Sequence, residues 1–243
     1  MVCLRPAAQQ AAVKRLVSRV GGTFVALPGM RLAACPDSLE SLRDALRCEA
    51  VIFTSPAAVA FASKLLPLRP HMPKLVFAVG NGTARALRRA GVAAITPDID
   101  AMHSEGVLAL PQWQDVRGSV GLVTAPGGRN AIAPALRQRG LEVCMALVYQ
   151  RLPPRPSRLS LQALRRSEAP RAVLVSSAEA IANLLQQLAP EDTARLLDSV
   201  AVVSSERLET TARQVGFARV LRAVSPEPAR MLQDLVEQVG KAA

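Results

Sequence analysis

The chain has 243 residues, half of them apolar, and a formal net charge of +11. That much apolar sequence supports one large core or two domains of about 120 residues each, and it excludes an intrinsically disordered protein. The charge points to an anionic partner, whether nucleic acid, an acidic membrane surface or a polyanionic small molecule, unless it is simply an arginine-rich solvated surface.

Taken in chain order, an apolar run at residues 2–4 predicts a strand. A helix follows over roughly residues 8–20, with Ala11, Leu16 and Val20 on one face and Lys14, Arg15 and Arg19 outside. Gly21-Gly22 closes it, and a strand over residues 23–27 is stopped by Pro28-Gly29. Further strands are expected at residues 50–54, 75–79, 93–96, 120–124 and 142–149, with helices at 55–66, 82–90, 104–110 and 130–139. Beyond Pro153, strands fall at 172–175, 200–203 and 219–221. Helices there cover 159–166, 177–188, 191–197, 205–215 and 228–239. Strand, small or hydroxylated turn, then helix is the recurring unit, and it argues for parallel sheets with helices on both faces.

Nucleic acid suits the charge but not the composition. Single-strand binders stack bases on aromatic rings, and only 3% of this chain is aromatic. The densest basic stretch, residues 151–171, is broken by Pro153, Pro154 and Pro156, and reads as a connection followed by a surface helix. Cys3, Cys35, Cys48 and Cys144 show no CxxC pairing, which favours reduced thiols in a cytoplasmic setting. The two histidines, His71 and His103, lie far apart and read as surface residues, so neither a metal site nor a histidine triad is expected. No apolar run reaches membrane-spanning length. A soluble monomer with no membrane partner is expected.

The units also repeat. Residues 50–60 line up with 172–182, residues 77–91 with 202–216, and Val2-Cys3-Leu4-Arg5-Pro6 with Leu122-Val123-Thr124-Ala125-Pro126. The order is permuted, because the unit that opens the chain matches one in its middle. Two similar domains account for this: residues 1–29 with 153–243 form the first, and residues 34–147 are inserted as the second. Connectors at about 27–34 and 147–153 pass between them, with a cleft expected there. The fold class is therefore α/β, two parallel-sheet domains of flavodoxin-like or Rossmann-like type joined by a two-stranded connector.

In such sheets ligands bind beyond the carboxyl ends of the strands. The turns at those ends contain Arg5, Thr54 and Ser55, Gly80 with Thr83, Gly127-Gly128-Arg129, Ser176 and Ser177, and Ser205. Each offers backbone N–H groups and the positive end of a helix dipole, suited to carboxylate or phosphate. For any one turn, ordinary helix capping explains the same residues. Repeated in both halves, the set suits an acidic ligand with many anionic groups. No Gly-Lys-Ser/Thr follows Gly127-Gly128-Arg129, and no GxGxxG follows the first strand, so the usual nucleotide loops are absent.

These residues together resemble the uroporphyrinogen-III synthase family. The matching pieces are Leu4-Arg5-Pro6, Phe53-Thr54-Ser55-Pro56, Ala78-Val79-Gly80 with Thr83, Pro126-Gly127-Gly128-Arg129, Val148-Tyr149-Gln150-Arg151, Val175-Ser176-Ser177 and Ser205-Glu206-Arg207-Leu208. The chain departs from many members at Leu4-Arg5-Pro6, where they have Thr, at Ser205, where they have Gly, at Leu208, where they have Thr, and at Ala125-Pro126, where they have Arg-Gly. The resemblance implies a cofactor-independent lyase acting on hydroxymethylbilane, a linear tetrapyrrole with eight carboxylates. It would expel the terminal hydroxyl as water and close the ring through a spiro intermediate with the last ring inverted, giving uroporphyrinogen III. It further implies a catalytic role for Tyr149, the only tyrosine, against the alternative of a tyrosine packed for stability. Thr54, Ser55 and Thr83 would bond the substrate's acidic arms; Arg5 and Arg129 would neutralise them, or be merely solvated. A non-catalytic two-domain module closing on an anionic small molecule is the competing expectation.

Overall fold

The structure, a computed structural model, describes residues 1–98, 102–127, 131–168 and 171–241. The chain begins with β1 (Val2–Cys3), α1 (Gln10–Arg19), β2 (Val25–Ala26), β3 (Arg31–Ala34), α2 (Ser38–Arg47), β4 (Ala50–Phe53), α3 (Pro56–Leu65) and β5 (Leu75–Ala78). It continues through α4 (Asn81–Arg89), α5 (Ser104–Leu108), β6 (Ser119–Thr124), α6 (Ile132–Gln138), β7 (Glu142–Leu147) and β8 (Tyr149–Leu152). The last part is α7 (Arg158–Arg166), β9 (Ala172–Leu174), α8 (Ala178–Leu185), α9 (Pro190–Leu197), β10 (Val200–Val203), α10 (Glu206–Gln214), β11 (Arg219–Arg222) and α11 (Pro228–Lys241).

Two compact units result, Met1–Arg31 with Leu152–Ala243, and Leu32–Arg151. In the first, a five-stranded parallel sheet has the order β11-β10-β9-β1-β2. In the second, a four-stranded parallel sheet has the order β5-β4-β6-β7, extended beside β5 by a lone bridge between Phe77 and Ile95. The three sequence echoes land on equivalent positions: β9 with β4, β10 with β5, β1 with β6. The α/β class with two similar parallel-sheet units is what the repeat implied. The crossings between units are carried by β3 and β8, which pair with each other as a two-stranded sheet.

Period-two alternation explains the layering. In β4, Val51 and Phe53 join the core with Leu42, Val59, Ala62 and Leu87, while Ala50 and Ile52 face Val107, Trp113, Ile132 and Leu136. In β9, Val173 packs with Leu164, Ile181 and Leu196, while Ala172 and Leu174 pack with Val13, Val17 and Met231. Each strand is apolar on both sides, so its sequence is a continuous run rather than an alternating one.

Three elements differ from expectation. Helix α2 is absent from the expected set; Leu42, Ala45 and Leu46 fall on one face and are buried, with Arg43, Asp44 and Arg47 outside. The expected strand at residues 93–96 reduces to the bridge at Ile95. The expected strand at 142–149 breaks at Val148 into β7 and β8, because the chain leaves one sheet there to pair in another. All four cysteines are free. Burial and the adjacent Cys48 thiol push Cys144 up to about 11, as befits a thiol packed as a hydrophobe.

Gly121 lies mid-strand in β6, between β4 and β7, where a Cβ would overlap the carbonyl oxygen of Ala45 in α2. The absent side chain is what lets α2 lie directly on the sheet. Gly121→Ala is expected to cost about 1–3 kcal/mol through overpacking, read as a lower urea midpoint with unchanged slope.

In the first unit, Arg165 donates from Nε and Nη2 to both carboxylate oxygens of Asp192, each at 2.7 Å, tying α7 to α9. Asp192 is 2% exposed. The hydrogen-bonded guanidinium holds its carboxyl below the ordinary range, against the opposing effect of burial. A depressed folded-state pKa stabilises fully above the unfolded value near 4 and ceases to as pH falls through the folded one. Thermal melts from pH 6 down to pH 2 are therefore expected to fall less steeply for Asp192→Asn than for the parent, and parallel curves would refute the pairing.

Candidate functional site

The second sheet has a topological switch point. From β4 the chain proceeds outward to β5, whereas from β6 it proceeds outward the other way to β7. The connections leaving the carboxyl ends of β4 and β6 thus diverge and open a crevice, the usual ligand position in open α/β sheets. Thr54 and Ser55 follow β4, and Thr124 ends β6.

Local chemistry sets the side chains there. Pro56 occupies the first turn of α3, and Ser55 caps that helix by accepting the Ala58 N–H at 3.1 Å. Thr54 Oγ1 donates to Thr124 Oγ1 at 2.9 Å, bridging the two strand ends. Tyr149 opens β8; its ring stacks on Phe61 with centroids 5.5 Å apart, and its hydroxyl lies 3.1 Å from Ser55 Oγ. Although Tyr149 is only 3% exposed, it borders the cavity.

That cavity has a volume of about 250 Å³. Hydroxyls of Thr54, Ser55, Thr124 and Tyr149 line one part, and Val79 and Ile132 form an apolar wall. Two nitrogen-bearing side chains complete it, His103 and Arg151. His103 caps the short helix α5: its Nδ1 accepts the Gly106 N–H at 3.2 Å and lies 2.9 Å from Glu105 Oε2. A hydroxyl-rich crevice with a fixed cation can orient a carboxylate-bearing ligand and hydrogen-bond a departing oxygen.

Of the residues expected from sequence, Thr54, Ser55 and Tyr149 converge here. Gly80 caps α4 in extended backbone, where a Cβ would touch Met102 of the cavity wall at 3.6 Å. Thr83 sits in the first turn of α4 with its side chain buried. Gly127 follows β6 in a turn at φ 66°, a left-handed conformation that favours glycine. Gly128 and Arg129 lie outside the described residues. The remaining four belong to the first unit. Arg5 follows β1 and donates from Nη2 to the Pro226 carbonyl at 3.3 Å, while its buried Nε has no hydrogen-bond partner among the described residues. Ser177 and Ser205 cap α8 and α10 by accepting from Ala180 and Leu208, and Ser176 is exposed just beyond β9.

Thr124, His103 and Arg151 are not among the sites the sequence singles out. Thr124 carried a signal, as the end of the strand that echoes β1, and Arg151 stood inside the Val148-Tyr149-Gln150-Arg151 match. His103 carried none; its half-exposed side chain, 51% accessible, fits the surface reading, yet it also borders the cavity. Among the described residues, no group of three or more His, Cys, Asp and Glu side chains is placed to hold a metal ion.

The family model for uroporphyrinogen-III synthase HemD matches residues 11–233. The chain belongs to the uroporphyrinogen-III synthase family. It is 30% identical over 215 residues to the uroporphyrinogen-III synthase of Escherichia coli K12, covering 86% of this chain and 85% of the relative. It is also 30% identical over 222 residues to that of Salmonella typhimurium, covering 87% and 86%. In fold it is similar to the uroporphyrinogen-III synthetase of Helicobacter pylori 26695, with a TM-score of 0.64 at 15% identity over 98% of each chain. A crystal structure of a mutant uroporphyrinogen III synthase from Thermus thermophilus gives a TM-score of 0.57 at 20% identity, covering 99% of this chain and 98% of the other.

Proposed function

We propose that this chain closes hydroxymethylbilane to uroporphyrinogen III, expelling the terminal hydroxyl as water and inverting the last ring through a spiro intermediate, as a monomeric cytoplasmic lyase that needs no cofactor. Family membership supports the reaction class. The observation that carries the site assignment is the convergence of Tyr149, Ser55, Thr54 and Thr124 at the switch point of the second sheet.

The chemistry asked of the protein is mainly positional. The linear precursor closes unaided without inversion, so the catalyst must present the substituted carbon of the last ring to the reactive terminus. A cavity of about 250 Å³ admits one ring and its arms rather than four. Tyr149 donates a hydrogen bond to the departing oxygen, and Ser55, held by its cap to Ala58, fixes where that phenol points. Thr54 and Thr124, joined by their own hydrogen bond, leave the Thr124 O–H to donate to an acetate or propionate arm, and Arg151 supplies a charge to meet it. Gly80, Thr83 and Gly127 shape the surroundings, and the family resemblance adds Gly128 and Arg129 to the substrate-binding set. In the first unit, Arg5, Ser176, Ser177 and Ser205 offer side chains and helix N-terminal amides suited to carboxylates.

Incubating the protein with hydroxymethylbilane and separating the product isomers is the deciding assay. Mainly type III product is expected; type I alone, as in the uncatalysed reaction, would refute the activity. Tyr149→Phe is expected to lower kcat several-fold with the melting temperature little changed, and an unaltered kcat would leave Tyr149 as packing for Phe61.

A further inference from the structure

We propose that His103 is the residue of the cavity that exchanges protons with the substrate, giving one to the departing hydroxyl and recovering one at ring closure. The inference rests on the cyclisation reading above and adds to it the group that moves the proton.

The reaction itself sets the requirement. The carbon–oxygen bond of the terminal hydroxymethyl group breaks as a proton reaches that oxygen, and water leaves. The spiro intermediate then breaks the last ring's original carbon–carbon bond to its bridging carbon, that bridging carbon bonds a ring carbon that still carries hydrogen, and the carbon–hydrogen bond there gives up its proton. One proton is supplied and one is returned, so a single side chain that donates first and accepts later closes the cycle with nothing consumed. A phenol, with an ordinary pKa near 10, serves as a hydrogen-bond donor but parts reluctantly with its proton; an imidazole, ordinarily near 6.5, does both steps near neutrality.

His103 is built for that role. Two contacts fall on one ring nitrogen: Nδ1 accepts the Gly106 N–H at 3.2 Å and stands 2.9 Å from Glu105 Oε2. Neutral, the ring caps α5 through Nδ1, which places its proton on Nε2. Protonated, Nδ1 can no longer accept from Gly106 and instead donates to the Glu105 carboxylate. The two protonation states thus have two anchors for the same nitrogen, while Nε2 takes part in neither. The ring borders the same cavity as Tyr149 and Thr54, and its 51% accessible side chain keeps it in exchange with solvent. Among the described residues, Glu105 in the first turn of α5 lies beside it, and Arg151 and Tyr149 on β8 border the same cavity.

His103→Asn isolates the proton from the cap, because asparagine also caps helices well. The expected result is a kcat about 10- to 100-fold lower, within the usual range for general acid–base catalysis. KM should stay within about twofold and the product remain type III, and the variant's kcat should depend less on pH than the parent's. In His103→Gly, imidazole added to the assay should restore part of kcat. A His103→Asn variant with parental kcat and pH profile would overturn the proposal. So would a rise in KM alone, or a His103→Gly variant that folds yet ignores imidazole. Should the parent protein itself yield only type I product, the cyclisation reading fails first; type III from the parent with an indifferent His103→Asn removes only this inference.

Discussion

Parallel strands deliver all their carboxyl ends to one edge of a sheet, and the connections that follow must go to one side or the other. In the second unit they part between β4 and β6, and the hydrogen bond from Thr54 to Thr124 is the seam across that parting. Everything assigned to the candidate site hangs on this divergence. It opens a crevice, it exposes the first turn of α3, and it places strand-end hydroxyls side by side. The first unit has the same divergence between β1 and β9. There Ser176 takes the position of Thr54, Leu4 takes that of Thr124, and Arg5 follows one residue on.

Helix capping and the proposed ligand binding draw on the same residues here. Ser55, Ser177 and Ser205 each accept a backbone N–H of the helix they start, yet each keeps an O–H to give away. For Ser55 that remaining capacity lies against Tyr149, so a local device of helix formation becomes part of the cavity wall. His103 repeats the arrangement with an imidazole in place of a hydroxyl, and its cap is conditional on protonation. The groups proposed to carry the chemistry thus have a structural duty as well, which limits how freely they can be replaced.

Close packing has to be in place before any of this. Gly121 admits α2 onto β6 and β7, and Phe77 stacks on Trp113 at 4.2 Å, whose indole N–H donates to the Val107 carbonyl in α5. The second of these contacts secures the helix that His103 caps, linking the core of the sheet to the cavity rim. In the first unit the paired Arg165 and Asp192 perform a comparable fastening between α7 and α9.

Much of this was legible along the chain, for a physical reason: strands buried on both faces must be apolar throughout, and hydroxyl or glycine turns must follow them. Those local requirements disclosed the α/β class, the permuted repeat and the turn hydroxyls of Thr54 and Ser55, whereas Tyr149 was singled out by the family resemblance. Helix α2 had a readable apolar face in Leu42, Ala45 and Leu46, but it sits between a connector and a strand where the repeat offered no guide. What only the tertiary structure decided is adjacency between residues far apart in sequence. Thr54 meets Thr124 and Ser55 meets Tyr149 across separations of 70 and 94 residues, and His103 joins them from a loop with no motif of its own. Such meetings follow from strand order, which is set by the packing of whole layers and leaves no mark on any single stretch of sequence.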